Sequence, residues 1–497
     1  MRKIILASLI CFCNAQSHAQ LIEQKLNVSE KFLPFIDSSH HIMLPGDYEI
    51  SVFYAGELKR PRFLAIGPNN TLCVADMNDK HILALPDRDH NGIADTAIDI
   101  SSSVDSAHSL GFYNGALYVA EPSRVRKFMD VDKDGYYETE ESFITGIGAS
   151  GPYNHYTRTI LFDTIGKHIY VSVGASCNAC RETDPERATI LQFDLDGKGR
   201  HVYASGLRNA LGLAINPKDN RLWAANADRD NQGDDEPPEI ISSVHNQDFF
   251  GWPFVYGNHH WDNFSTPEYQ SLLPITQPDS IRVEATMTPD ILIEPHSTPM
   301  AMIFYQDPRV YIAAPPLTAF VALHGSSPGG RTIGVGYKVI KLQYDDFAQR
   351  WSVSDFLTGF LTDSMKYSYW GRPCGLVQDS TGDIFLSSDV GIPAIYRIHL
   401  RGSTSVKSVT QQQARLSVNQ NPITATADIQ VNMIQRSTIK LALLNQLGTY
   451  CLTVFDGVAE SGDSHFKLDA SQLSNGVYYL QLESQNFRAV EKVIILR

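Results

Sequence analysis

Cysteine, basic charge and long apolar runs are all scarce in this 497-residue chain. Seven cysteines, widely scattered, cannot build the disulfide framework of a small secreted scaffold. The close pair Cys177-Asn178-Ala179-Cys180 is followed by Arg181 rather than His, which removes a c-type haem signature. No second Cys/His pair completes a zinc site, so the pair reads as a local disulfide or as two structural thiols. Lys and Arg number 41 against 55 Asp and Glu, a formal charge of -14 that repels phosphate backbones. Nucleic acid is thereby excluded as a partner, and neutral or metal-bridged ligands fit better. No apolar run approaches the roughly 20 residues that span a bilayer, which excludes a transmembrane segment. The run Ile4 to Phe12 follows Met-Arg-Lys and precedes Ser17-His18-Ala19, the pattern of a removable signal peptide over residues 1–19. The expected destination is outside the cell or on its surface.

What the chain does have is repetition. Pro61 to Asp76 reads as two short β-strands around Gly67-Pro68-Asn69-Asn70, and the same strand-turn-strand unit recurs at His108–Glu121, His155–Gly174, Arg208–Asn226 and Gly371–Asp389. Aligned on the first strand, the early units sit at Ala65, Leu110, Ile160 and Leu213, steps of 45, 50 and 53 residues. Periods of that size mean propeller blades. Between Leu213 and Leu376 there is room for an insertion and one more blade, with strands at Ala301–Tyr305 and Phe320–Leu323. The expectation is an all-β chain: an N-terminal extension over 20–44, a six-bladed β-propeller over 45–400, a Ser/Thr/Gln-rich linker over 401–415 and a small β-sandwich over 416–497.

Two Asp-rich loops offer hard oxygen ligands. Asp87 to Gly92 alternates oxygens before a Gly, and Asp130, Asp132 and Asp134 before Gly135, with Glu141 six beyond, match an EF-hand loop. Their flanks read as strands, so calcium sites and solvated turns both remain open. Asn154-His155-Tyr156-Thr157-Arg158-Thr159 leads into a first strand, where a His near working pH suits a general base. Gly206-Leu207-Arg208-Asn209 occupies the equivalent place in the next unit, with a planar fork for carboxylates and a donor-acceptor amide. The acidic stretch Asn226 to Glu239, ending in Phe249-Phe250-Gly251-Trp252-Pro253, is too long for a plain connection; it is either a cation site or a solvated insertion.

Gly206-Leu207-Arg208-Asn209, Gly233-Asp234-Asp235 with Phe250-Gly251-Trp252-Pro253, Leu323-His324-Gly325-Ser326 and Trp370-Gly371-Arg372-Pro373 together resemble the soluble quinoprotein glucose and L-sorbosone dehydrogenases, more closely the sorbosone branch. The resemblance covers about 45–400. It implies pyrroloquinoline quinone (PQQ) held over the propeller channel with Ca²⁺, and oxidation of a sugar or sugar-derived aldehyde by hydride transfer to the quinone. His155 matches the catalytic base. Arg208, Asn209 and Arg372 match cofactor positions, His324 falls where the family carries a Lys, and His108 joins this set. The Asp228–Asn231 turn, including Arg229, corresponds to the segment whose backbone carbonyls hold Ca²⁺. Cys374 replaces the second Arg of a pair, and the Asp that glucose enzymes carry near Ala175 and Ser176 is absent. A non-catalytic propeller binding glycan or protein is the competing expectation. Asn421-Pro422, Leu444-Asn445-Gln446-Leu447-Gly448 and Leu473 to Tyr479 resemble the type IX secretion sorting domain of Bacteroidetes, implying that machinery as a partner. The physiological electron acceptor is not given by any of these residues.

Overall fold

The computed structural model describes residues 20–132, 135–148, 155–307, 316–328, 331–401, 414–445, 450–471, 473–484 and 488–496. The expected signal peptide, Asp134, Asn154 and most of the expected linker lie outside them. The chain divides into two compact units, Met1–Gln306 with Leu317–Gly402, and Asp307–Pro316 with Ser403–Arg497.

Short runs rich in Val, Ile, Leu and aromatics, broken by turn residues, make the larger unit almost wholly β. The turn chemistry is explicit at Asn114-Gly115, where both residues take positive φ (47° and 78°) and join Ser109–Tyr113 to Ala116–Glu121 as a two-residue hairpin. Six four-stranded antiparallel sheets result. Their first strands are Pro61–Ile66, Ser109–Tyr113, Ile160–Asp163, Asn209–Ile215, Pro299–Tyr305 and Gly371–Gln378. Each first strand packs against the next, and the last packs against Pro61–Ile66. Gly375 permits that final contact, because a Cβ there would lie 2.5 Å from the Arg62 carbonyl oxygen and 2.9 Å from Phe63 Cα.

The sixth sheet draws on both ends of the unit. Tyr48–Ala55 supplies its outer strand, pairing antiparallel with Ala394–Leu400. Ile50 and Val52 on that strand are buried beside Tyr396 and Ile398, each apolar side chain contributing about 1.5–3 kcal/mol relative to exposure. The stretch expected as an extension is folded as well. Leu21–Lys25 pairs with His41–Pro45, and Leu26, Phe32, Ile36, Ile42 and Leu44 enter the same core.

Between the third strand of the fourth sheet, Glu239–Val244, and its fourth, Ile291–Ile293, lies the insertion the spacing called for. It packs Phe254, Val255, Tyr269, Leu272 and Val283 into a core of its own, together with Ala179. Its one α-helix, Gln277–Glu284, starts at a capping box between Thr276 and Asp279. Among the described residues no helix is long and apolar enough to cross a membrane.

In the smaller unit, three strands (Ala414–Val418, Thr426–Met433, Gly462–Asp469) and four strands (Tyr450–Ala459, Ser437–Asn445, Gly476–Ser484, Arg488–Ile495) form two sheets. Ile429, Val431, Leu468, Leu441, Leu443, Leu480, Leu482 and Val493 from both sheets share one core. Period-two alternation along Thr426–Met433, where every second residue is buried, is the pattern of a strand with one dry face.

Candidate active site

The first strands of the six sheets, and the residues just before them, carry polar side chains. Arg62 sits in the first, His108 immediately precedes the second, and His155 precedes the third. Arg208 precedes the fourth, His296 the fifth, and Arg372 lies near the start of the sixth.

His155 is placed by backbone. Its N–H donates to the Ala175 carbonyl at 3.3 Å and its ring Nδ1 donates to the same oxygen at 2.8 Å. A carbonyl can only accept, so the ring proton is on Nδ1 and Nε2 keeps its lone pair. Burial, then the Arg208 charge, pushes the imidazolium down to about 3, so the ring is neutral. Gly174 leaves space for it: a Cβ there would lie 2.5 Å from His155 Cβ and 2.6 Å from Asn209 Oδ1, which also shows His155 and Asn209 to be neighbours.

Arg208 is buried and fully directed. Nη1 donates to the Asp228 carbonyl at 2.6 Å, Nε to the Asn178 carbonyl at 3.2 Å, and Nη2 to Asn178 Oδ1 at 2.9 Å and Asp230 Oδ2 at 3.3 Å. Asp230 is half exposed and also faces His296 Nδ1 at 3.6 Å. Burial would raise its carboxyl, but the His296 contact and Arg208 hold it below its usual value.

A second cluster forms around Asp389. The Asp389 carboxylate, fully buried, takes Arg62 Nη1 at 3.2 Å, Arg60 Nε at 3.4 Å and His324 Nε2 at 2.7 Å. Burial raises its carboxyl, yet His324, Arg62 and Arg60 outweigh that and keep it ionised well below the ordinary range. Burial, followed by the Arg372 charge, lowers His324 to about 4, so it is a neutral donor to Asp389. Arg372 Nε donates to the His324 carbonyl at 2.9 Å, Nη2 to the Gly325 and Ser326 carbonyls, and its plane lies over Tyr337 and Tyr369, 4.9 and 5.6 Å from the ring centroids. His108 is completely buried with its ring 4.3 Å from Phe63, and among the described residues neither ring nitrogen has a partner. Burial and then Arg62 hold it neutral. Arg62 Nε likewise has no partner among the described residues.

The structure thus brings Arg208 and Asn209 to His155, and Arg372, His324 and His108 to one buried group around Asp389. Sequence reasoning missed Arg60, Arg62, Asp389 and Asn178. The signal for Arg62 was present, since it opens its repeat as Arg208 opens another. It also answers the replacement at Cys374: Arg62 Nη1 lies 3.6 Å from Cys374 Sγ, so a cation occupies that place from a different strand. Cys177 and Cys180 form a disulfide.

The expected metal residues are sorted differently. Arg229 is fully buried, with Nε on Asp228 Oδ1 at 2.9 Å and Nη1 on Asp262 at 2.6 Å, so its cationic side chain is directed to these carboxylates and is no metal ligand. The backbone oxygens of that turn and the Asp230 carboxylate are hard donors beside it. Asp130 and Asp132 do approach each other, but the third acid beside them is Glu138 rather than Glu141. Glu141 lies on the strand Thr139–Thr145 and pairs with Lys127 at 3.0 Å. Strand geometry carries it away from the loop. Asp87, Asp89 and Asp95 make a second exposed acidic cluster. Both loops border a cleft of about 1400 Å³ that contains neither His155 nor Asp389.

A profile described as TrAA12-like matches residues 43–399. The chain belongs to the TrAA12-like family. A secretion system C-terminal sorting domain matches residues 418–496. An uncharacterized protein of Borreliella burgdorferi is 23% identical over 398 residues, 77% of this chain and 97% of that one. Among solved structures, a Trichoderma reesei carbohydrate-active enzyme of family AA12, in its calcium form, shares the fold at a TM-score of 0.60 and 19% identity, covering 72% of this chain and 97% of its own. The PQQ domain of a Coprinopsis cinerea pyranose dehydrogenase, in holo form, gives 0.58 at 20% identity over 72% and 97%. A PQQ-bound aldose sugar dehydrogenase from Streptomyces coelicolor gives 0.50 at 15% identity over 72% and 99%. This TrAA12-like chain therefore carries its His155 and Asp389 clusters on a fold shared with those proteins.

Proposed function

We propose that the chain is an exported, PQQ-dependent dehydrogenase on a six-bladed propeller, oxidising an aldose or sugar-derived aldehyde of sorbosone type. The observation that carries this reading is the pairing of a neutral His155, Nε2 lone pair intact, with cationic Arg62 and Arg372 and a neutral His108, where Arg62 Nε and both His108 ring nitrogens have no partner among the described residues. Arg60, Arg62, Arg208 and Arg372 outnumber Asp389 and Asp230, a balance suited to a cofactor bearing several carboxylates. Buried donors at Arg62 Nε and His108 are costly unless a ligand meets them. The donor set therefore fits PQQ in chemistry, and the PQQ-bound fold relatives support the choice. Ca²⁺ is assigned to the oxygens of the Asp228–Asn231 turn, hard donors beside Arg208.

When bound, PQQ supplies the hydride acceptor. His155 accepts the proton of the substrate hydroxyl at Nε2, while the Ala175 carbonyl holds Nδ1–H and stabilises the imidazolium that forms. Arg208 and Asn209 would hold cofactor oxygen atoms next to the base. Arg62 and Arg372 would hold its carboxylates, which meets the argument for a non-catalytic propeller drawn from Cys374. The sorting domain at 418–496 and the N-terminal signal pattern support export through type IX secretion.

The test is reconstitution. Protein incubated with PQQ and Ca²⁺ should reduce an artificial electron acceptor when given aldoses or aldehydes. Absence of both quinone binding and acceptor reduction across a sugar panel overturns the proposal.

A further inference from the structure

The disulfide-closed loop Cys177–Cys180 has no part in the chemistry above, yet it borders both halves of the His155 site. At its entrance the Ala175 carbonyl holds His155, and the Ala175 N–H donates to the Arg208 carbonyl at 2.7 Å. Inside the loop, Asn178 uses every polar atom of its side chain. Oδ1 accepts from Arg208 Nη2 at 2.9 Å and from the Asp230 N–H at 2.8 Å. Nδ2 donates to the Asp230 carbonyl at 3.1 Å, to Glu268 at 3.0 Å and to the Tyr269 hydroxyl at 3.3 Å. Its carbonyl accepts from Arg208 Nε at 3.2 Å and from Trp252 Nε1 at 2.9 Å. Two of the three guanidinium nitrogens of Arg208 are therefore aimed by this one residue.

The loop is fastened on all sides. The half-buried disulfide packs with Ala175, Ala188 and Trp252, and Ala179 is buried in the core of the insertion. Glu182 accepts from the Ser176 N–H and hydroxyl at 2.6 and 2.7 Å. Arg181 donates to Asp279 and to the Leu272 and Pro274 carbonyls. A four-residue loop so held has little freedom, and neither has Asn178.

We propose that Asn178, stapled by the Cys177–Cys180 disulfide and backed by the insertion, is a positioning residue: it fixes Arg208 and the Asp228–Asn231 turn in the geometry that receives the quinone and its cation. This rests on the quinoprotein reading. Ligand-holding groups lose about 10- to 100-fold in affinity when the partners that orient them are removed. Loosening the staple then weakens cofactor binding and leaves the six sheets standing.

The experiment titrates apo-protein with PQQ in Ca²⁺, followed optically, alongside thermal unfolding of the apo-protein. It uses wild type, Asn178→Ala, the Cys177→Ser/Cys180→Ser pair, Arg208→Met and Asn178→Ala with Arg208→Met. The expected result is a dissociation constant raised about 10- to 100-fold in Asn178→Ala and in the Ser pair, measured at a temperature where thermal unfolding shows each variant folded. Since Asn178 acts through Arg208, Asn178→Ala should add little to Arg208→Met. If wild type itself fails to bind PQQ, the quinoprotein reading falls. If wild type binds and the variants bind equally well, or lose only thermal stability, or add their effects to that of Arg208→Met, the positioning role falls. Should Asn178→Ala not fold, the Ser pair decides alone: wild-type affinity in it overturns the proposal.

Discussion

Replacing Asp389 by Asn tests the electrostatic centre of the site. The carboxylate is fully buried and neutralises Arg62, itself only 7% exposed, at 3.2 Å, with Arg60 at 3.4 Å. Asn keeps an oxygen for His324 Nε2, so the substitution removes charge more than hydrogen bonding. Breaking a buried ion pair from one side costs about 3–5 kcal/mol, because the remaining charge stays buried and unpaired. Arg60 is 28% exposed and partly screened, so the lower end, about 3 kcal/mol, is expected for Asp389→Asn. Asp389→Ala, which also strips the His324 acceptor, should lose more. Urea unfolding of apo-protein at neutral pH measures both. If Arg62 faces the cofactor, PQQ carboxylates replace the lost anion, so saturating PQQ with Ca²⁺ should stabilise Asp389→Asn by more than it stabilises wild type. Ligand at 100 times its dissociation constant adds about 2.7 kcal/mol, a readable increment. A loss below about 1 kcal/mol, or an equal PQQ increment in both proteins, would refute the reasoning.

His155→Ala should keep quinone affinity and lose about 100-fold or more in turnover with an artificial acceptor, the usual contribution of a general base; equal turnover removes it from catalysis. Arg62→Met should weaken PQQ binding at least about tenfold by removing a charge-assisted contact, whereas Cys374→Ser should not, and optical titration separates them. His155 and His324 sit at about 3 and 4 in the folded chain, below the ordinary value near 6.5, so each supplies stability that is present above about pH 6.5 and lost below it, by up to about 1.4 kcal/mol per pH unit. Buried Glu239 and Asp262, raised to about 7, act in the opposite sense over the same range, so the histidine contribution is isolated by substitution. Between pH 7.5 and 5.5 wild type should lose more stability, or gain less, than His155→Asn, and an equal change in the two proteins would contradict that assignment. Ile50→Ala should cost about 2–5 kcal/mol in the larger unit, since the side chain is buried where Tyr48–Ala55 completes the sixth sheet.

The repeat was legible because hairpins are local: Asn114-Gly115 and the runs beside it state strand, turn and strand within a dozen residues. Tyr48–Ala55 was not, since its partner Ala394–Leu400 lies far along the chain and nothing local marks the pairing. The candidate site divides in the same way. His155, Arg208 and Arg372 stood at corresponding strand entries, whereas Asp389 lies near the end of the second strand of its sheet, Ile384–Gly391, and gains meaning only when Arg60, Arg62 and His324 fold around it. Asn178 was hidden inside a Cys pair read as a local disulfide or two structural thiols. Its partners Arg208, Asp230 and Trp252 come from three later segments. At the second Asp-rich loop, spacing alone favoured Glu141, but Glu141 lies on a strand beside Lys127, and Glu138 takes the place near Asp130 and Asp132.

The central claim is that this constellation of Arg62, His108, His155, Arg208 and Arg372 receives a carboxylated quinone with a divalent cation. Optical titration of the apo-protein with PQQ, with and without Ca²⁺, tests it most directly. The account predicts saturable binding that tightens with Ca²⁺ and weakens in Arg62→Met and Arg208→Met. Spectra of PQQ that do not change at any protein concentration, with Ca²⁺ present, would contradict it.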